Sequence, residues 1–291
     1  MSMKIKNFNR FTRYAGSKLH FIERFNDITA SLDQKIYVEP FFGSGAIFFN
    51  LDKEYDKYII NDINPHVINA VKSFRDGTYK FYKEILEDVN VKFGDIKTNK
   101  EAYYNFRNSF NKEFFDKNKD VIKEGFMFHM LMNSCINSLV RIGPNGFNQS
   151  YGNCLYVLDE KTFTEVNRRL NMNVEITSMD YSELIKQNDS ENTLYFLDPP
   201  YLARNSVGYI KTYDAKSDLT DFICILKQLK GKVIYTDIEC DIHATLEWDS
   251  HKTKMLSSIS PLRRGQESNQ EVFFANFNAI ETKREITLEL F

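Results

Sequence analysis

The sequence predicts a mixed α/β fold: a parallel sheet with helices on both faces, interrupted in its middle by a mainly helical insert that carries a β-hairpin. Three observations predict it. Short apolar runs, each closed by turn residues and followed by a helical pattern, occur near both ends of the chain. The stretch 79–171 is helical in character, with few strand signals. Within it, Asn145-Gly146 is a hairpin signal when extended residues flank it. Alternating strands and helices imply parallel pairing, because each parallel connection must cross over the sheet.

A helix is expected over 17–30, where Leu19, Ile22, Phe25 and Ile28 recur at helical spacing. Ile36-Tyr37-Val38 reads as the first strand. Ala46-Ile47-Phe48-Phe49 reads as a helix after a glycine-bearing turn, and Tyr58-Ile59-Ile60 as the second strand. Asn64 is an N-cap with Pro65 at the first helical position; Val67, Ile68, Val71 and Phe74 form the buried stripe, and Gly77 lies just past the end. Phe163, Val166 and Leu170 mark a helix within 159–170. Val174-Glu175-Ile176 and Leu194-Tyr195-Phe196-Leu197 resume the strands. Ser217 caps a helix carrying Leu219, Phe222, Ile223, Leu226 and Leu229, closed by Gly231. The run 232–235 is the next strand, and 255–259 with 272–277 reads as a final antiparallel pair.

Composition narrows the function classes. The chain has 291 residues, 42% hydrophobic and 27% charged, enough for a sizeable core and too apolar for disorder. No apolar run approaches the ~18–20 residues of a membrane span, and the first residues carry no secretory pattern. The four cysteines form no C-x-x-C pair, which argues against zinc. A cytoplasmic enzyme with reduced thiols, no metal and no membrane contact is expected. The formal charge of −2 argues, as an average, against a nucleic-acid partner. Yet residues 1–24 carry six Lys or Arg against one acid, and 125–158 contain no Asp or Glu.

Asp198-Pro199-Pro200-Tyr201 carries the strongest chemical signal. It follows an apolar strand, at the carboxyl end where open α/β sheets bind ligands. Two prolines stiffen the backbone and remove two N–H donors, leaving carbonyls to accept. A carboxylate, a carbonyl and an aromatic ring together suit a planar group bearing an NH2; the alternative is a capped structural loop. Glu39-Pro40-Phe41-Phe42-Gly43-Ser44-Gly45 lies between strand and helix, where glycines admit a ligand to the backbone or merely make a turn. No Gly-Lys-Ser/Thr follows, so it is not a phosphate-cradling loop. Asp62, at the end of the second strand, is placed to accept from ribose hydroxyls or to cap a helix.

Taken in order, these residues resemble the Dam-like, D12-class α group of DNA adenine N6-methyltransferases over nearly the whole chain. Arg13-Tyr14-Ala15-Gly16-Ser17-Lys18 resembles the N-terminal element, Glu39 to Gly45 the cofactor loop, Asn61-Asp62-Ile63-Asn64 the second-strand acid, 137–152 the recognition hairpin, Met179-Asp180-Tyr181 the later cofactor element, and Asp198 to Tyr201 the catalytic motif. Ser17, Ile136, Ser138, Gly143 and Ser150 depart from the family pattern, mostly in the hairpin.

The resemblance implies a Rossmann-like S-adenosylmethionine-dependent methyltransferase sheet over 1–64 and 172–291, and a target-recognition domain over 65–171. It implies double-stranded DNA as partner, in a monomer or weak dimer. Asp198, Pro199, Pro200 and Tyr201 would act on a flipped-out adenine. Tyr14, Lys18, Glu39, Phe41, Gly43, Gly45, Asp62, Asp180 and Tyr181 would hold the cofactor. Asn137, Arg141, Asn148 and Arg263 would contact DNA. Arg141 is the sole Lys or Arg between Glu124 and Asp159, which suits guanine readout, a phosphate clamp being its rival role. Asn137 and Asn148 either read bases or close turns. A cytosine N4-methyltransferase and a catalytically silent DNA-binding relative are the alternatives.

Overall fold

The computed structural model describes residues 10–113, 120–200, 217–238, 240–252 and 271–279. Tyr201, Arg263 and the expected strand 255–259 lie outside the described residues.

A 3-10 turn, Leu19–Phe21, leads into α1 (Ile22–Thr29). The main sheet contains β1 (Ile36–Glu39), β2 (Lys57–Asn61), β5 (Val174–Thr177), β6 (Thr193–Leu197), β7 (Lys232–Ile238), β8 (Asp249–Lys252) and β9 (Glu271–Ala275). Its order is β5-β2-β1-β6-β7-β9-β8; the first five are parallel and β9 runs antiparallel to both β7 and β8. The chain winds outward from β1 through β2 to β5, then restarts at β6 beside β1. The β1/β6 boundary is therefore the switch point, where such sheets leave a crevice at the carboxyl ends of the strands.

Alternation along each strand feeds two cores. Tyr37, Ile60, Leu194, Phe196, Ile234 and Phe273 face one; Val38, Ile59, Tyr195, Leu197, Val233 and Phe274 face the other. The second core is closed by α7 (Tyr181–Asn188) and α8 (Ser217–Leu226). The first continues without a break through α2 (Pro65–Asp76) into the insert: α3 (Tyr79–Phe93), α4 (Lys100–Glu113), α5 (Val121–Ser134) and α6 (Glu160–Leu170). Asn64 caps α2 by accepting from His66 N (3.0 Å), with Pro65 opening the helix as expected. Buried edge-on and tilted contacts of Phe74 with Tyr82, Phe126 and Phe163 join α2, α3, α5 and α6.

Three local expectations differ from the structure. The helix expected at 46–49 is only a 3-10 turn, Phe48–Asn50, because burying Phe48 and Phe49 side by side leaves the segment bound to the core rather than propagating. The helix begun at Ser217 ends at Leu226, not at Gly231; a Cβ at Gly231 would lie 2.7 Å from the Thr193 carbonyl, so that glycine serves a close crossing. The strand paired with β9 on its outer side is β8 at Asp249–Lys252. The hairpin is present, β3 (Ile142–Gly143) against β4 (Gly146–Phe147). Its left-handed residue is Gly146 (φ 92°), with Pro144 and Asn145 at the tip.

Among the described residues no helix is long and apolar enough to cross a membrane. No group of three or more His, Cys, Asp or Glu side chains there is placed to hold a metal ion.

Candidate active site

A cavity opens at the carboxyl ends of β1 and β6. Tyr14, Lys18, Glu39, Phe41, Gly43, Asp62, Asp198, Pro199 and Pro200 all line it, brought together from four separate stretches of sequence.

The glycine loop is locked from below. Asp62, just past β2, accepts Gly43 N on one oxygen and Asn64 N on the other, both at 2.9 Å. Burial pushes its carboxyl up to about 6, against the pull of those two N–H groups. Gly43 (φ 48°) faces the Tyr14 ring; an added Cβ would lie 3.2 Å from it. Gly45 (φ 62°) leaves no room at all, since a Cβ would sit 2.3 Å from the Phe42 ring. It shapes the loop from outside the cavity wall. Asn61 ties the neighbouring loop down: its amide donates to the Pro40 and Met179 carbonyls (both 3.0 Å) and accepts Met179 N (2.9 Å).

Asp180 and Tyr181 adjoin the cavity without lining it. Asp180 caps α7, accepting Ser182 N (2.9 Å) and Ser182 Oγ (2.6 Å). The Tyr181 ring packs 5.2 Å from that of Phe41, which does line the cavity.

The carboxylates divide into two kinds. Glu39 is buried with Tyr37 OH on its Oε2 (2.7 Å). Burial raises its carboxyl to about 8, so at neutral pH most of it is protonated. Asp198 is partly exposed (18%) and meets Lys18 Nζ at 2.6 Å and Thr236 Oγ1 at 2.8 Å, both on Oδ1. Burial raises its carboxyl as well, and Lys18 opposes that. Oδ2 carries no hydrogen bond among the described residues.

The N-terminal segment links this cavity to the insert. Arg13 N donates to Asn133 Oδ1 (2.8 Å), Asn133 Nδ2 to Thr12 Oγ1 (2.9 Å), and Ala15 N to the Ser138 carbonyl (3.1 Å). Val140, at the start of the hairpin, lines the cavity, and Arg141 beside it is exposed. Asn137 is exposed and left-handed (φ 55°), the conformation of a turn closer. Asn148 is exposed, its N–H donating to the Arg141 carbonyl (3.0 Å). Asn111 on α4 pairs with Phe147 like a strand neighbour, donating to its carbonyl (2.8 Å) and accepting its N–H (2.9 Å).

The chain that builds this parallel sheet, with a switch-point cavity joining a glycine loop to an Asp-Pro-Pro element and an exposed hairpin beside it, matches a known family along most of its length. The family model for D12 class N6 adenine-specific DNA methyltransferases covers residues 14–260. The chain belongs to this family. The Type II methyltransferase M.MjaIII of Methanocaldococcus jannaschii is 32% identical over 222 residues, 72% of this chain and 75% of its own. The DNA adenine methylase of Escherichia coli K12 is 27% identical over 273 residues, 88% and 91% of the two chains. That of Serratia marcescens is 26% identical over 218 residues, 73% and 74%. A D12 methyltransferase requires a methyl donor and a DNA substrate.

Sequence reasoning assigned no role to several residues that build or brace this cavity. Thr236 reaches Asp198 from β7, and Asn61 braces two loops. Glu271 and His20 extend the Lys18 ion pair outward. A charged residue opening the otherwise apolar run 271–275 was the one available signal for Glu271.

Proposed function

We propose that the cavity binds S-adenosylmethionine beside an adenine flipped out of double-stranded DNA, and that residues 65–171 form the target-recognition part. The supporting observation is the Asp198 carboxylate at the switch point, in one cavity with the Gly43 turn and Asp62. The residues fit the cofactor: the left-handed Gly43 leaves room at the backbone beside the Tyr14 ring, and Asp62 has one lone pair of each oxygen left after its backbone bonds. When bound, S-adenosylmethionine supplies an electrophilic methyl group on a sulfonium.

Asp62 accepts from the ribose hydroxyls; Asp180 and Tyr181 with Phe41 serve the adenine end; Tyr14 and Lys18, with Glu39, serve the methionine end. Gly43 and Gly45 keep the loop close. Asp198 and the Pro199 carbonyl accept hydrogen bonds from the target amine, whose lone pair is otherwise delocalised into its ring. That localises the pair on nitrogen and stabilises the positive charge that develops there. Pro200 stiffens the turn, and Tyr201 stacks on the flipped base. Asp198 need not be a strong base, since the proton becomes acidic only after transfer. Arg141 reads a guanine edge, Asn137 and Asn148 flank it, and Arg263 contacts phosphate.

Methylation of mixed-sequence duplex DNA, followed by sequencing of modified bases, tests this. N6-methyladenine in one sequence context is expected from the intact protein. Asp198→Ala is expected to abolish it while calorimetric affinity for S-adenosylmethionine stays near normal; retained turnover would overturn the role given to Asp198.

A further inference from the structure

Glu271 belongs to none of the sequence motifs, yet it reaches Asp198 through a single cation. It opens β9 opposite Ile238 of β7 and is 2% exposed. A carboxylate so buried is costly unless it is paired and hydrogen-bonded. Both its oxygens are engaged: Oε1 lies 3.1 Å from Lys18 Nζ, and Oε2 3.0 Å from His20 Nε2. Lys18 Nζ is at the same time 2.6 Å from Asp198 Oδ1 and 3.1 Å from the Gly16 carbonyl. A row His20–Glu271–Lys18–Asp198 therefore runs from a ring 26% exposed to the cavity wall.

We propose that Glu271 is a positioning residue for methyl transfer: it takes part of the Lys18 charge and holds that ammonium on Oδ1 of Asp198, leaving Oδ2 to the target amine, with His20 as the outer anchor. This rests on Asp198 being the amine's acceptor. Were Lys18 to answer to Asp198 alone, its whole charge would offset the carboxylate that must stabilise a nascent cation. With two carboxylates sharing one lysine, the cluster keeps negative charge facing the cavity. The groups around Asp198 are Lys18 from the N-terminal turn, Glu271 from β9, Glu39 from β1, and Thr236 and Tyr235 from β7. Glu39 is mostly protonated at neutral pH, and Tyr235 is held well above its ordinary value by burial, so Glu271 is the principal negative neighbour. It raises the Asp198 carboxyl, while Lys18 lowers it.

The test is single-turnover methyl transfer by the full chain on mixed-sequence duplex DNA across pH, with S-adenosylmethionine affinity measured by calorimetry. In Glu271→Gln, the acid limb of the rate is expected to move down by about one pH unit, the effect of losing one close like charge. The plateau rate falls about tenfold, its equivalent on a barrier, with a smaller loss of cofactor affinity through Lys18. In His20→Ala, Glu271 turns wholly to Lys18 and the limb moves up. This second variant alters a partly exposed side chain and stands alone should Glu271→Gln fail to fold. Limbs unmoved in the folded variants overturn the proposal even if thermal stability drops, because a merely structural contact moves no titration. Asp198→Ala separates the two ideas. Turnover retained there defeats the reading of Asp198, whereas turnover lost there with an unmoved Glu271→Gln limb defeats only the role of Glu271.

Discussion

The cavity at the end of the sheet and the hairpin beside it are built by opposite means. In and beneath the cavity, polar and charged groups are buried and each is fixed by several bonds: Asp62 by two backbone N–H groups, Lys18 by three acceptors, Asn61 by four contacts. The hairpin has two-residue strands, and Asn111, Arg107 and Tyr103 of α4 hold its returning side through the backbone of Phe147 and Gln149. Its polar side chains Asn137, Arg141 and Asn148 are left exposed. Buried, over-determined groups lose much when altered, since their partners are stranded; exposed ones lose little, since water replaces them. The cavity of this D12 enzyme is therefore its over-determined part, and the hairpin its replaceable part.

The largest expected break concerns Glu39. Its folded value of about 8 lies above the unfolded 4.5, so the folded state binds the extra proton between those limits. The stability this confers is complete below the unfolded value and is lost as pH rises through about 8. Glu39→Gln has no such loss. Its stability relative to the natural chain should grow from pH 5 to pH 8, reaching roughly a few kcal/mol. Chemical denaturation at the two pH values measures it, and a constant difference would contradict a buried, titrating Glu39.

Asp62 comes next. Asp62→Ala strands the Gly43 and Asn64 N–H groups as well as removing the proposed ribose acceptor. Affinity for S-adenosylmethionine should weaken toward the upper part of about 1–3 kcal/mol; an unchanged calorimetric constant would remove Asp62 from the cofactor site. Arg141→Ala is the mildest. Sequence preference should relax by the lower part of about 1–3 kcal/mol at one base pair, with little change in the salt slope of binding. A reduced slope with preference intact would make Arg141 a phosphate contact and narrow the contrast between the two regions.

What could be read from the sequence was whatever is local. The apolar runs of β1, β2, β6 and β7, the Asn64-Pro65 cap and the Asn145-Gly146 turn need only a few neighbouring residues to declare themselves. The helix expected at 46–49 failed because tertiary burial of Phe48 and Phe49 outweighed the local pattern. The cavity was legible as motifs but not as a network. Lys18 meets Asp198 from 180 positions away in the chain, and His20 meets Glu271 from 251. No periodicity carries such a pairing. The near-neutral net charge misled for a related reason: it averages the whole chain and hides that 125–158 carry no acid and that 1–24 carry six Lys or Arg against one acid.

The strap formed by residues 12–15 has a consequence for where the enzyme marks DNA. It is hydrogen-bonded to Asn133 and Ser138 at the root of the hairpin, and four residues after Tyr14 the same backbone delivers Lys18 to Asp198. On the proposed roles, the reading head and the point of methyl transfer are mounted on one short, braced length of chain. That makes the protein a ruler. With those roles, the spacing along the duplex between the base inspected and the base modified would be set by the strap, and changing Arg141 would alter which letter is read without altering how far away the mark falls.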